Sequence, residues 1–486
     1  MSATTHNQPL SSGWTMSRVI GLVIGILLLG ATILFPAPGD MSDASWKAAG
    51  LMLLLAAWWS TEAIPIPATS LAPIVLIPML GLGSVSQASA PYANPTIFLF
   101  MGGFVLGLAM QRWNLHKRIA LMTLLAVGTK PSHQIGGFMI ATAFLSMWVS
   151  NTATAIMMLP IGLSVVSMFE NDDPVAVRKY ATALLLAIAY SASLGGIGTI
   201  IGTPPNALLV AYLANTHDIH IGFAQWMLIG VPIAALMLLA VWLLLAHKDF
   251  GLKAANNSRE LLQQQLQDLG PLSRGEKLVG IVFLLTAAAW ILQPILADSI
   301  PWINDTVIAM ISAIVMFMIP VNRHSGENLM DWETASKMPW GVLLLFGGGL
   351  SLASAITSSG LAVWIAESMA VLNTLPTLAI ILMITAVIIF LTEITSNTAT
   401  AAAFLPLMGA LAMAQDVSPI LYAAPAAVAA SCAFMMPVAT PPNAIVFGTG
   451  HMRISDMISA GFKLNLVGVA IVGVVAYYLM FWVFGL

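Results

Sequence analysis

Two short polar cassettes recur in an otherwise apolar chain. Ser150-Asn151-Thr152-Ala153-Thr154-Ala155 returns as Ser396-Asn397-Thr398-Ala399-Thr400-Ala401. Leu159-Pro160 is matched by Leu405-Pro406, and Thr203-Pro204-Pro205-Asn206-Ala207 by Thr440-Pro441-Pro442-Asn443-Ala444. From Ser to the Thr of Thr-Pro-Pro-Asn the spacing is 53 residues (150 to 203) in the first copy and 44 (396 to 440) in the second. These side chains suit binding: their oxygens suit a cation, and their hydroxyl and amide donors suit an anion. Adjacent prolines remove two backbone donors and clash with the preceding turn. The long apolar runs 179–214 and 418–449 are therefore predicted to unwind at 203–206 and 440–443. Carbonyls freed at the end of a half-helix attract sodium, and the N-terminus of the next half-helix attracts an anion.

The elements that must carry these cassettes belong to a membrane. The 486 residues are 59% hydrophobic and only 8% charged, with a net charge of -3. An average soluble domain has roughly 25% charged residues, so the bilayer is this chain's solvent. No Lys/Arg stripe is present to bind nucleic acid. Apolar stretches that span or enter the bilayer are predicted at 17–35, 46–60, 66–82, 97–111, 179–214, 223–246, 277–296, 303–320, 341–356, 418–449 and 464–485. Two more, 135–169 and 377–414, are interrupted at the Ser-Asn-Thr cassettes and read as re-entrant hairpins. With the N-terminus cytoplasmic and both hairpins returning to their own side, Lys47 is the one of the 17 Lys and Arg that falls outside. This is the bias the positive-inside rule demands, and counting either hairpin as a crossing destroys it.

The predicted fold is all-α and polytopic: eleven transmembrane helices plus two re-entrant hairpins, with a periplasmic C-terminus. An N-terminal segment and first span (1–44) precede a first repeat (45–247), a polar cytoplasmic connection (248–276) and a second repeat (277–486). Each repeat holds five crossings, so the second copy enters from the opposite face and the repeats are inverted. The leading arm 135–149 is about 22 Å long at 1.5 Å per residue, short of the roughly 30 Å hydrocarbon core. Its Ser-Asn-Thr tip therefore lies deep in the membrane. A tip that only capped its own helix would explain one copy. Two matched copies, each followed by Thr-Pro-Pro-Asn, point to a shared site.

No Lys or Arg lies within a span near the motifs. A dianion held by hydroxyls, amides and helix dipoles alone would be poorly compensated at low dielectric, and bound sodium ions would supply the missing charge. Glu393, three residues before Ser396, is a buried acid placed to tune ion affinity, to titrate, or simply to be hydrogen-bonded at the hairpin base. Its counterpart is Met147. The eight His all lie in tails, loops or interfacial stretches, and Cys432 is the single cysteine. An intramembrane metal or nucleophile enzyme is thus disfavoured, and no basic pore exists for a passive anion channel.

The paired tips and breaks resemble those of the divalent anion/sodium symporters, which include sodium–dicarboxylate, citrate and sulfate carriers. The resemblance runs over about 17–485. It implies a homodimer in the cell inner membrane, with a scaffold domain (about 17–130 and 277–375) and a transport domain (about 131–247 and 376–486) that moves like an elevator. It further implies one sodium site at Ser146, Ser150, Asn151 and the backbone of Gly202, and a second at Thr392, Thr395, Asn397 and the backbone of Ala439. Thr395 stands where some relatives carry alanine, so its contact would be through backbone oxygen. Substrate carboxylates would meet Ser150, Asn151, Thr152, Thr203, Ser396, Asn397, Thr398, Thr440 and Pro441. Sodium is the expected coupling ion, no organic cofactor is expected, and C4 dicarboxylates such as succinate, malate and fumarate are the expected substrates. Dicarboxylate or citrate exchange, and sulfate or tricarboxylate symport, are the alternatives.

Overall fold

The computed structural model describes residues 15–128, 130–169, 172–246, 250–252, 258–322, 326–368 and 374–486. Lys248, Lys253, Arg323, His6, His247 and His324 lie outside them. Among the described residues, eight helices are long and apolar enough to cross a membrane, from Met16–Leu34 at the start to Ile454–Phe484 at the end. Shorter apolar helices accompany them, including Asn151–Ser167, Thr377–Leu391 and Ile420–Ala430.

The helix Pro174–Ile197 occupies the centre and is buried along almost its whole length. Its alanines, serines and glycines let neighbours approach closely, as membrane interiors require. Asp173 caps its start by accepting from the N–H groups of Val175 and Ala176. Around it pack the first hairpin (arms Pro131–Ser146 and Asn151–Ser167), Phe223–Leu245 and Pro441–Phe447. The second hairpin has arms Thr377–Leu391 and Asn397–Ala414. The packing is reciprocal. The second arm of the first hairpin meets Pro441–Phe447 beyond the second break, and that of the second hairpin meets Pro204–His217 beyond the first. Each motif pair is therefore completed by the other half of the chain.

The structure corrects the predicted elements in several places. The runs 179–214 and 418–449 do break, but the gaps lie at 198–203 and 431–440. Pro204, Pro205, Pro441 and Pro442 open the helices that follow. Proline is favoured there because the first turn needs no intrahelical N–H donor. The stretch 66–82 contains two short helices, Ile66–Thr69 and Ala72–Met79. Helices not foreseen are Leu115–Val127, Val85–Ser89 and Leu361–Ser368, and a small antiparallel ladder pairs Pro320–Asn322 with Glu327–Asn328.

Leu115–Val127 is tied down by a buried ion pair. Arg118 Nε donates to Glu276 Oε1 at 2.6 Å, the side chains being 11% and 5% exposed. Arg118 also donates to the Gly270 carbonyl at 3.0 Å, and Glu276 completes a capping box with Ser273. Glu276→Gln leaves the guanidinium buried without its counter-charge, and the expected loss is about 3–5 kcal/mol. Denaturant unfolding of the detergent-solubilised variant checks this; a loss below about 1 kcal/mol would mean the pair behaves as a screened surface bridge.

Candidate functional site

The turn of the first hairpin is Met147–Val149, where the helix stops after Ser146 and resumes at Asn151. Its backbone rests on Gly107, where an added Cβ would come within 3.1 Å of the Trp148 carbonyl. The Trp148 ring lies beside a stacked pair, Phe223 (centroids 6.0 Å away) and Trp290 (6.4 Å), which are 4.4 Å from each other, with Phe283 edge-on at 4.9 Å. Ser150 caps the second arm, its Oγ accepting from the Ala153 N–H at 3.3 Å.

Ser146 is fully buried behind the tip. Its Oγ lies 2.5 Å from the Ala192 carbonyl oxygen and 2.7 Å from Asn151 Oδ1. That position of the Asn151 amide is also 3.0 Å from the Ala192 oxygen and 3.2 Å from the Gly202 oxygen. Four oxygens thus converge with one hydroxyl proton between them. Turned the other way, the amide nitrogen would donate to the same three oxygens. The place accepts either an N–H donor or a cation that oxygens can surround. Gly196 and Gly202 allow the approach, since a Cβ on Gly202 would sit 2.4 Å from the Gly196 oxygen.

The second half repeats the arrangement. Thr392 is fully buried, and its Oγ1 lies 2.8 Å from Asn397 Oδ1 and 3.0 Å from the Ala430 oxygen, so again one proton serves two acceptors. Thr395 Oγ1 turns away to the Leu391 carbonyl (2.9 Å) and Thr400 (2.6 Å).

Each break is stapled by the asparagine of its Thr-Pro-Pro-Asn motif, a role not read from the sequence. Asn206 Nδ2 reaches the carbonyls of Gly196 (3.2 Å), Ile197 (3.2 Å) and Thr199 (2.8 Å). Asn443 Nδ2 reaches those of Ala433 and Met436, both at 3.1 Å. Both asparagines are fully buried. They occupy carbonyls that unwinding would otherwise leave bare, a need that two prolines beside an asparagine could have signalled.

Both tips and both breaks face one cavity of about 910 Å³. Ser150, Asn151, Thr152, Thr203, Ser396, Asn397, Thr398, Thr440 and Pro441 all line it, as do Gly202, Thr395 and Ala439. Ser146 and Thr392 lie behind its wall, reached through the asparagines. Phe100, Phe104, Leu108 and Gln111 of the helix Pro95–Arg112 form part of the opposite wall. The expectation that an anion would find no fixed positive charge holds at the tips but not across the cavity, because Arg18 and Lys337 also line it. Arg18 lies 4.0 Å from Glu62, another lining residue. These charges stand at helix ends far along the chain from the motifs, and nothing in their spacing signals a common wall.

The model for the sodium:sulfate symporter transmembrane region matches residues 16–485. The chain belongs to this family. It is a family of multi-pass membrane transporters, not enzymes. A sodium-dependent dicarboxylate transporter, SdcS, of Staphylococcus saprophyticus is 43% identical over 485 residues, covering 98% of this chain and 93% of its own. The Staphylococcus aureus protein of the same name is 42% identical over 498 residues, covering 100% and 95%. Among solved structures, Neisseria gonorrhoeae MtrF, described among antimetabolite efflux pumps, aligns at 12% identity with a TM-score of 0.58 over 98% of this chain and 97% of its own. The Alcanivorax borkumensis YdaH transporter aligns at 16% identity with a TM-score of 0.53, covering 95% and 98%. At such identities these two share the fold alone.

Proposed function

We propose that this protein couples inward sodium movement to the uptake of C4 dicarboxylates such as succinate, malate and fumarate. The observation that carries the reading is the pair of matched clusters, Ser146–Asn151–Ala192–Gly202 and Thr392–Asn397–Ala430, whose oxygens converge behind the two tips of one shared cavity. In the second cluster one hydroxyl proton serves two acceptors, and in the first the Asn151 amide can turn its oxygen inward, so each offers oxygens that a bound sodium ion satisfies. Sodium on both sides of the cavity then gives a dicarboxylate the positive charge that the tips lack. Ser150, Ser396, Thr152, Thr398, Thr203 and Thr440 offer hydroxyls to the carboxylates. The staphylococcal relatives carry a matching name.

In this reading the second sodium also uses the backbone of Thr395 and Ala439, and Pro441 contacts substrate. The hairpins are re-entrant, with eleven further crossings, a cytoplasmic N-terminus and a periplasmic C-terminus. Arg18, Glu62, Gln111 and Lys337 on the cavity wall all belong to the cytoplasmic side of that layout, so the arrangement is the inward-open one. A transport domain (131–247 and 376–486) slides against a scaffold (17–130 and 277–375), and two protomers join through their scaffolds. The reciprocal packing of hairpins and breaks supports the transport domain as one moving body.

Radiolabelled succinate uptake into proteoliposomes tests the coupling. An inward sodium gradient is expected to raise the initial rate at least about tenfold over potassium alone. Equal rates in the two salts would exclude sodium symport, and counterflow without any sodium gradient would favour exchange.

A further inference from the structure

The two hairpin turns differ at one position with a large physical consequence. Met147 of the first turn corresponds to Glu393 of the second, through the same offset of 246 that relates Ser150 to Ser396. In the first half, turn and break meet by close packing. A Cβ on Gly198 would sit 3.1 Å from Met147 Cε, and Thr199 Oγ1 donates to the Met147 carbonyl at 2.6 Å. In the second half a carboxylate bridges the gap. Glu393, 3% exposed, accepts at Oε1 from the N–H groups of Phe434 (2.7 Å) and Met435 (2.9 Å) and from Asn465 Nδ2 (2.8 Å). Its Oε2 accepts from Met435 (2.9 Å) and Met436 (3.1 Å).

Three successive peptide N–H groups thus form an anion-holding concavity around it. These bonds are polar but carry no net charge. Among the described residues no Lys, Arg or His forms an ion pair with Glu393. A buried ion in this position calls for a counter-ion. The adjacent residue, Thr392, belongs to the second oxygen cluster, and the strand that Glu393 grips runs on to Ala439 and Thr440 on the cavity wall.

We propose that Glu393 is the positioning residue of the second sodium site: it clamps the unwound strand 433–436 to the hairpin turn and supplies the standing negative charge that draws a cation to Thr392 and Asn397. This rests on the reading that those residues hold sodium. Glu393 is not itself a ligand, because both its oxygens are already taken up by N–H bonds from 434–436 and Asn465. The first cluster has no such charge, so the two sodium ions bind unequally and the second site fills at the lower sodium concentration.

The test uses the full-length protein with two readouts: the sodium dependence of succinate uptake, and the sodium-induced rise in thermal midpoint of purified protein without substrate. Glu393→Gln keeps the volume and removes the charge. It is expected to raise the half-saturating sodium concentration about tenfold in both readouts, with the succinate KM at saturating sodium within about twofold of wild type. Glu393→Asp keeps the charge and shortens the reach, and Asn465→Ala removes one donor; each is expected to shift sodium dependence two- to threefold. Lower maximal rates with an unchanged sodium dependence would assign Glu393 a purely structural role and overturn the proposal. If Glu393→Gln does not fold, unchanged sodium dependence in both milder variants overturns it equally. Wild-type uptake that ignores sodium would instead sink the underlying reading of the site.

Discussion

Asn151→Ala and Asn397→Ala are each expected to reduce sodium-driven succinate uptake at least about 100-fold while leaving a folded, membrane-inserted protein. Each asparagine faces two ways. One amide atom completes the oxygen cluster with Ser146 or Thr392, and the residue also lines the cavity. Removing it deletes a cation contact and a substrate contact together. Hydrogen bonds to charged groups contribute about 1.5–3 kcal/mol each, so losing both interactions reaches about 3 kcal/mol or more, and every 1.4 kcal/mol is tenfold. Both residues sit at the first position of a helix whose own hydrogen bonds do not use the side chain, so folding should survive. Initial rates in proteoliposomes, with size-exclusion profiles of the same preparations, make the check. Wild-type rates in either variant would remove that asparagine from the site.

Gly195→Ala is expected to abolish uptake by a different route, and to lower the thermal midpoint as well. A Cβ at Gly195 would lie 2.2 Å from the Ala143 carbonyl oxygen, 2.6 Å from its Cα and 2.7 Å from its carbonyl carbon. All three are backbone atoms, so no rotamer change relieves the clash. The helix Pro174–Ile197 and the first hairpin arm must separate, which pulls Ser146 Oγ from the Ala192 oxygen and opens the first cluster. Overpacking of this kind costs about 1–3 kcal/mol in well-packed cores, occasionally more, and here the strain falls one turn from the cation contact. Gly280→Ala is the control, since its Cβ would meet only Leu115 Cδ2 at 3.6 Å. Equal sodium-induced thermal shifts in the Gly195 variant and wild type would show that the cluster tolerates the separation.

The cassettes were legible because small polar residues and paired prolines are conspicuous in apolar surroundings, where each unpaired backbone group is expensive. Their convergence on one cavity follows from the repeat, and every residue named for substrate lines that cavity. The breaks are expected a few residues too far toward the C-terminus because proline marks where a helix cannot continue, whereas these prolines mark where the next helix begins. Leu115–Val127 went unseen because His116, Lys117 and Arg118 read as loop charges, while its apolar residues Ala120, Leu121 and Leu124 are buried. Glu393 was recognisable as exceptional, but its partners at 434–436 and 465 lie 41 to 72 residues away, beyond any local pattern. Arg18, at the start of the span 17–35, and Lys337 are expected only on the cytoplasmic side, and tertiary packing brings them to the cavity.

One contact bears on how the chain is made. The Tyr190 hydroxyl, fully buried in the central helix, donates to the Phe434 carbonyl at 2.7 Å, across a separation of 244 residues. At about 5–20 residues per second, ribosomes need roughly 12–50 s to produce that partner. Until then the nascent N-terminal half carries a phenol with no native acceptor in hydrocarbon, so it must linger beside the insertion machinery or recruit water. Biogenesis is therefore tied to the late arrival of the C-terminal half, and a transcript truncated before Phe434 should yield a product that quality-control proteases remove.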